Sequence, residues 1–283
     1  MVADCQRVGP STGEPTRHEQ SDLSHLANLG HGEFPRFILS PGTPEECFLI
    51  TVDALNLAER WRLPVILLLD EALCQNATTS RRFELDKVRI DRGERLTGDA
   101  VAALTQYKAY AFTESGRSAY APPGTPGVWA EITGNEHDEW GHVTVNPTNR
   151  VRMMKKRMEK MIRARDELPR ANLFGPAEAR IGIIAYGSTV GPVREAQGLL
   201  TAAGTATKLL QPRTLYPVPV HEIDPFLQSV DLCYVIEHNY TGQFGRLLRE
   251  TMPWHHTKLR ALTKYDGSNF RAPQIVAGIK EVG

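Results

Sequence analysis

Residues 6–20 read Gln-Arg-Val-Gly-Pro-Ser-Thr-Gly-Glu-Pro-Thr-Arg-His-Glu-Gln. No other stretch of the chain gathers so many groups suited to holding an anion. Arg7, Arg17 and His18 supply cationic donors, and Ser11, Thr12 and Thr16 supply hydroxyls. Gly9, Pro10, Gly13 and Pro15 break regular structure, so the segment reads as a loop with rigid turns. A guanidinium fork held in such a loop beside hydroxyls suits a carboxylate or a phosphate. On composition alone, a polar surface loop is an equally good reading.

Three other stretches carry polar groups at suggestive spacing. Gly187-Ser188-Thr189 sits at a strand-to-helix turn, where free helix N–H groups can cradle an anion. It lacks the spacing and the lysine of a P-loop, so a helix N-cap is the preferred reading. His137, Asp138, Glu139 and His142 could ligate a metal, but the histidines are five apart rather than four and no third ligand is evident. No metal site is expected there. Glu237-His238-Asn239-Tyr240-Thr241-Gly242-Gln243 follows a strand, so its side chains could point into a cleft. No Gly-x-Gly-x-x-Gly and no nucleophile elbow occurs, so nicotinamide binding and serine hydrolysis have no support.

The elements that must position these groups alternate between strand and helix. Arg36–Leu39 is a short strand. Thr43 then caps a helix with Pro44 at its first position and Glu46 closing a capping box. That helix is expected to run to about Arg60, with Phe48, Val52 and Leu55 on one face. Val65–Leu69 is a continuous apolar run, the mark of a strand buried on both faces, with Asp70 and Glu71 at its carboxyl end. Residues 76–126 are weakly periodic and read as an irregular excursion. Residues 150–165 form a basic helix, with Met154, Met158 and Met161 as its apolar stripe. Strands follow at 181–186, 206–210 and 232–236, separated by helices from Gly187 to Ala203 and from Gln243 to Glu250. The order implies an α/β fold with mainly parallel sheets and right-handed crossovers.

Composition narrows the function classes. With 283 residues the chain has room for one large or two modest domains, and 41% hydrophobic with 23% charged residues is ordinary for a globular protein. Lys plus Arg equals Asp plus Glu at 33 each, so no net field recruits nucleic acid or an anionic membrane. Apolar runs are too short to span a bilayer, and no signal peptide is evident. The four cysteines, Cys5, Cys47, Cys74 and Cys233, form no Cys-x-x-Cys pair. They fit a reducing cytoplasm and argue against a zinc or iron–sulfur site on this chain.

The opening loop closely resembles the Gln-Arg-Gly-Gly-Pro-Ser-Thr-Gly-x-Pro-Thr-x-x-Glu-Gln signature of the α subunits of 2-oxoacid:ferredoxin oxidoreductases, especially the 2-oxoglutarate type. Thr133-Gly134-Asn135-Glu136-His137-Asp138-Glu139-Trp140-Gly141-His142, Glu237-His238-Asn239-Tyr240-Thr241-Gly242-Gln243 and Lys264-Tyr265-Asp266-Gly267 with Phe270 resemble further stretches of the same family. The matches span nearly the whole chain. One departure is Val8, where the family has glycine; it would strain the loop if that position needs a positive φ.

The resemblance implies two thiamine-enzyme-type units. Residues 1–165 would be the carboxyl-terminal part of a pyrimidine-binding domain, 166–178 a connector, and 179–283 a transketolase C-terminal-like domain. It implies that Arg7 binds the carboxylate of a 2-oxoacid and that Thr16 lines the same pocket. It implies thiamine diphosphate with Mg2+ shared with a β subunit, a [4Fe-4S] cluster in that β subunit, coenzyme A as co-substrate and ferredoxin as electron acceptor. The expected reaction is oxidative decarboxylation of 2-oxoglutarate to an acyl-CoA and CO2 by a cytoplasmic heterodimer. Pyruvate or branched-chain 2-oxoacids remain alternatives, as does a non-catalytic structural subunit. Family members carry a further amino-terminal half of the pyrimidine domain before the Gln-Arg loop. A sheet beginning at Val2 is therefore expected to have an open edge.

Overall fold

The computed structural model describes residues 1–282, so Gly283 of the second expected unit lies outside the described residues. The first part of the chain runs β1 (Val2–Gln6), α1 (Leu23–Ala27), β2 (Phe37–Leu39), α2 (Pro44–Trp61), β3 (Val65–Asp70), α3 (Glu71–Gln75), α4 (Gly98–Ala102) and α5 (Pro147–Arg163). The second part runs β4 (Asn172–Phe174), β5 (Ile181–Ile184), α6 (Val190–Ala202), β6 (Thr207–Gln211), β7 (Thr214–Tyr216), α7 (Val220–Gln228), β8 (Leu232–Glu237), α8 (Gln243–Thr251), β9 (Leu259–Thr263) and α9 (Ala272–Val282).

Two sheets result, and both are mainly parallel. The first has the order β1-β3-β2-β7, the second β4-β6-β5-β8-β9. β1, β3 and β2 pair in parallel, and β7 joins β2 antiparallel. In the second sheet only β4 is antiparallel. β1 forms an edge of the first sheet, with Val2 61% exposed. β4 lies in the stretch between the two expected units and pairs with β6, so the connector supplies an edge strand. β7 crosses back from the second part of the chain to complete the first sheet. One apolar core, including Ile38, Leu68, Ile184, Tyr186, Leu215 and Val235, joins the two sheets.

The sequence logic of β3 holds. Val65–Leu68 are buried, as a strand covered on both faces requires. α2 begins as expected, with Thr43 accepting from the Glu46 N–H at 3.2 Å and Pro44 in the first turn. Its buried face differs from the expected one. Ile50, Ala54, Leu57 and Trp61 face the core, whereas Leu55 is 49% exposed. The helix carries apolar residues on more than one face, so periodicity alone did not choose between them. Phe48 instead stacks on Phe83 at 4.5 Å.

Glu46 closes no capping box with Thr43. Its Oε2 accepts from the Gly42 N–H at 2.7 Å and from Gln211 Nε2 at 2.7 Å, and its Oε1 accepts from Asn172 Nδ2 at 2.8 Å. One carboxylate thus ties the start of α2 to β6 and β4.

α5 also departs from expectation. Its buried residues are Met153 and Lys160, not a stripe of Met154, Met158 and Met161. Methionines 154, 158 and 161 are only partly covered. Lys160 is buried because its ammonium donates to the Trp61 carbonyl at 3.0 Å.

Candidate functional site

The opening loop leaves the carboxyl end of β1, where Gln6 pairs in register with Asp70 of β3. This is the end of a parallel sheet at which ligands bind. Gln6 anchors the departure: its amide donates to the Leu69 carbonyl at 3.1 Å and accepts from the Asp22 N–H at 3.0 Å. The loop is closed by its own backbone. Val8 N–H donates to the Arg17 carbonyl at 3.1 Å, and Glu14 N–H donates to the Val8 carbonyl at 3.2 Å. Gly13, with φ +49°, lies against that Val8 carbonyl, where any Cβ would collide. Val8 itself causes no strain: the non-glycine residues with positive φ, among those described, are Ser11 and Arg62.

The two expected site residues both lie on this loop, Arg7 near its start and Thr16 near its return. Arg7 is half-buried, and its guanidinium donates to the Thr12 carbonyl. Thr16 is exposed and lines an open cleft of about 630 Å³ with Arg17, Asp266, Gly267 and Ser268. Arg7 is not among the residues lining that cleft.

Behind the loop lies a buried polar junction that sequence reasoning did not assemble. Gln20 is fully buried. Its Nε2 donates to Asp70 Oδ2 at 2.9 Å and to the Tyr186 carbonyl at 3.1 Å. Its Oε1 accepts from Thr189 Oγ1 at 3.1 Å and from the His238 N–H at 3.2 Å. Asp70 caps α3 through the Leu73 N–H at 3.1 Å and accepts from the Ser188 N–H at 2.9 Å. The turn at 187–189 does bind an anion on a backbone N–H, but the anion is Asp70 of the same chain. No side chain of the turn acts as an N-cap. Gly187, with φ +60°, is required here, because a Cβ would meet Asp70 Oδ2 and lie 2.7 Å from Gln20 Nε2.

Two histidines complete the junction. His18 and His238 are buried, with ring centroids 4.1 Å apart in an edge-to-face arrangement. Burial drives both toward the neutral form. The His238 pKa falls to about 2 through burial and then through the neighbouring His18. His18 is also lowered, by burial first, despite Asp70. Its Nδ1 lies 3.9 Å from Asp70 Oδ1, too far for a hydrogen bond, and neither ring nitrogen has a hydrogen-bond partner among the described residues. With a neutral ring this contact is not an ion pair. The His18 N–H holds the Gly267 carbonyl at 3.2 Å, and Phe270 packs on His238 at 4.9 Å.

Glu237 is structural, not an acid–base group facing a cleft. It is fully buried and accepts from the Phe244 N–H at 2.8 Å, the Gly245 N–H at 2.9 Å and Asn239 Nδ2 at 3.0 Å, so it caps α8. Burial raises its pKa, and these donors oppose the rise. The loop at 134–142 is likewise self-satisfied. Asp138 Oδ1 accepts from the Trp140, Gly141 and His142 N–H groups, and Glu136 binds Arg150 and Arg157. Those arginines, Arg157 first, hold the Glu136 carboxyl down near about 2. No group of three or more His, Cys, Asp or Glu that could hold a metal ion occurs among the described residues.

The cysteines are less scattered in space than in sequence. Cys5, Cys47 and Cys74 influence one another beside Asp70, and burial pushes Cys47 up to about 11 and Cys74 up to about 12.

Comparison with known proteins accounts for this convergence. A family model described as pyruvate flavodoxin/ferredoxin oxidoreductase, thiamine diP-binding, matches residues 1–156. One for pyruvate:ferredoxin oxidoreductase core domain II matches residues 179–275. The 2-oxoglutarate:ferredoxin oxidoreductase of Magnetococcus marinus, solved with 2-oxoglutarate, coenzyme A and succinyl-CoA bound, superposes with a TM-score of 0.91 at 38% identity. That match covers 99% of this chain and 48% of the other. The 2-oxoacid:ferredoxin oxidoreductase subunit alpha of Saccharolobus solfataricus is 34% identical over 98% of this chain and 43% of its own length. The 2-oxoglutarate synthase subunit KorA of Methanothermobacter marburgensis is 28% identical over 98% of this chain and 72% of its own. The chain thus spans less than half the length of the Saccharolobus relative. Motifs far apart in sequence meet at one junction because the chain belongs to the family of 2-oxoacid:ferredoxin oxidoreductase α subunits.

Proposed function

We propose that this chain serves as the α-type subunit, or the carboxyl-terminal portion of one, in a 2-oxoglutarate:ferredoxin oxidoreductase. The reaction is oxidative decarboxylation of the 2-oxoacid with coenzyme A, giving an acyl-CoA, CO2 and reduced ferredoxin. The observation that carries the reading is the opening loop. It holds a half-buried guanidinium and an exposed threonine at the carboxyl end of a parallel sheet. The bound 2-oxoglutarate of the Magnetococcus enzyme, whose fold this chain shares, supports the choice of substrate.

The donors present fit a substrate carboxylate better than a metal–diphosphate pair. One Arg7 N–H goes to the Thr12 carbonyl, and the guanidinium has others to offer. In this reading Mg2+ and the diphosphate of thiamine are assigned to the β subunit, as the family resemblance implies. The cysteines fit an iron–sulfur cluster no better. A [4Fe-4S] centre takes four thiolates, commonly from clustered Cys-x-x-Cys spacings, and this chain's four cysteines include no such pair. In this reading the cluster is placed in the β subunit, as the family resemblance implies. Thiamine, when bound, supplies the carbanion chemistry.

This chain's contribution is positioning. Arg7 pairs with the carboxylate, Thr16 adds a hydrogen bond, and the bonds from Val8 N–H to Arg17 and from Glu14 N–H to Val8 hold the loop's shape. Gln20 and Asp70 fix the loop's return against the second sheet. The test is 2-oxoacid-dependent ferredoxin reduction by the α polypeptide co-purified with its β partner in the cytoplasmic fraction. 2-Oxoglutarate turning over faster than pyruvate or branched-chain 2-oxoacids supports the assignment. Preference for another 2-oxoacid overturns the substrate, and no turnover with any of them favours a structural subunit.

A further inference from the structure

At the opposite end of the first sheet lies a cavity that the proposed reaction does not use. It holds about 250 Å³ and opens beside Pro35, ahead of β2, and Leu63 and Pro64, ahead of β3. These are the amino ends of the strands, whereas the opening loop leaves their carboxyl ends. Four cations line the cavity: Arg62, Lys156, Arg157 and Lys160. Among the described residues, no carboxylate lines it.

The hydrogen bonds of the four are uneven. Arg157 is neutralised by Glu136 at 2.6 Å. Lys160, buried, donates to the Trp61 carbonyl at 3.0 Å. Lys156 donates to the Tyr110 carbonyl at 2.6 Å and to Ser118 Oγ at 2.7 Å. Arg62 donates to the Ala109 carbonyl at 2.9 Å and lies over the rings of Tyr110 and Tyr120. Among the described residues, Arg62, Lys156 and Lys160 donate to neutral acceptors. Lys160 is buried, Lys156 and Arg157 are half-buried and Arg62 is exposed. Cations gathered at a partly covered site suit an anion, and Tyr110 and His137 wall the same cavity.

We propose that this cavity binds a phosphate-class oxyanion, held by Arg62, Lys156 and Lys160, that locks the excursion before α5 onto the first sheet. Arg62 follows α2, Tyr110 and Ser118 belong to the excursion, and both lysines come from α5. A single anion therefore ties three segments together. Burial first, and the neighbouring cations after it, disfavour the charged form of both lysines. Lys156 is lowered to about 7, by burial and then by Lys160 and Arg62, with Glu139 opposing and Arg157 adding to it. Lys160 is lowered to about 8 by burial, Arg62 and Arg157. An anion would restore both ammonium groups, so binding takes up protons.

The test uses the purified full α chain with its partner and inorganic phosphate as probe, against chloride at equal ionic strength. Phosphate should raise the melting midpoint by at least about 2 °C. Calorimetry in buffers of different ionisation heat should show proton uptake near pH 7.5. Arg62→Asn keeps a residue that tolerates the left-handed backbone, whose φ here is 50°, while removing the guanidinium. Lys160→Met keeps the length and removes the charge. Both should abolish the phosphate effect, with circular dichroism unchanged. A coenzyme A titration in the same variants distinguishes a free phosphate from the phosphate of a cofactor. Stabilisation by phosphate that survives both variants overturns the site. A phosphate effect no larger than chloride's, with β-subunit binding lost in both variants, also overturns it, because the counter-charge is then a partner's carboxylate.

Discussion

At the scale of single residues, the junction behind the opening loop depends on groups with no slack. Gly187 faces Asp70 and Gln20 with no room for a Cβ. Gly187→Ala is predicted to destabilise the chain by about 2–4 kcal/mol, from left-handed strain plus displacement of a buried network. Urea denaturation measures this, and a loss under about 0.5 kcal/mol would mean the junction is plastic. The histidine pair adds a pH dependence. His18 and His238 are neutral when folded, the second down to about 2. Once unfolded, each returns to an ordinary pKa of about 6.5 and takes up a proton below it. The unfolded state then binds more protons, so stability rises with pH across this range and falls on acidification from about pH 6.5. His238→Gln should flatten that slope, read from melting midpoints between pH 5 and 7. Little of this was legible beforehand. His18, Asp70, Gly187 and His238 are separated by up to 220 positions along the chain, and only the meeting of two sheets brings them together.

At the scale of elements, Glu46 shows where local rules stop. The pattern Thr43-Pro44-Glu45-Glu46 announced a helix start, and α2 begins there. The glutamate's partners are not local, however: two of the three lie in the second sheet. Glu46→Ala is predicted to cost about 2–4 kcal/mol, because Gln211 and Asn172 lose a charged acceptor. Thr43→Ala, the loss of a cap alone, should cost about 1 kcal/mol. Equal costs in chemical denaturation would show that Glu46 is only a capping residue. The strands from β3 onward that carry continuous apolar runs were legible because burial on both faces leaves that mark. β7 was not, because three residues, Thr-Leu-Tyr, carry no period. α5 was misread in detail because a lysine on a buried face looks like a solvated one until its carbonyl partner is seen. Its lysines also make a prediction. Folded, Lys156 and Lys160 release protons near about 7 and 8, while an unfolded lysine holds its proton to about pH 10.4. The unfolded state binds more protons in between, so in phosphate-free buffer stability should climb from about pH 7 to 10. Lys160→Met should reduce the climb.

At the scale of the whole molecule, the division of labour follows from which end of the first sheet carries which chemistry. The carboxyl ends present the opening loop, fixed by Gln20 and Asp70 to the second sheet. The amino ends present the cationic cavity. The second sheet closes the junction through β8 and the turn before α6, and lends β7 to the first. No helix among the described residues is long and apolar enough to cross a membrane. The opening loop was the most legible feature of the chain, because its residue types and order are specific. Its supporting shell was not. Whether that loop holds the substrate is decided by one comparison: kcat/KM for 2-oxoglutarate in the assembled enzyme, wild type against Arg7→Ala, with Arg7→Lys as the conservative control. A charge-assisted bond is worth about 1.5–3 kcal/mol, so Arg7→Ala should lose at least about tenfold, with Arg7→Lys between the two. Unchanged kcat/KM in a folded, β-bound Arg7→Ala enzyme would contradict the account.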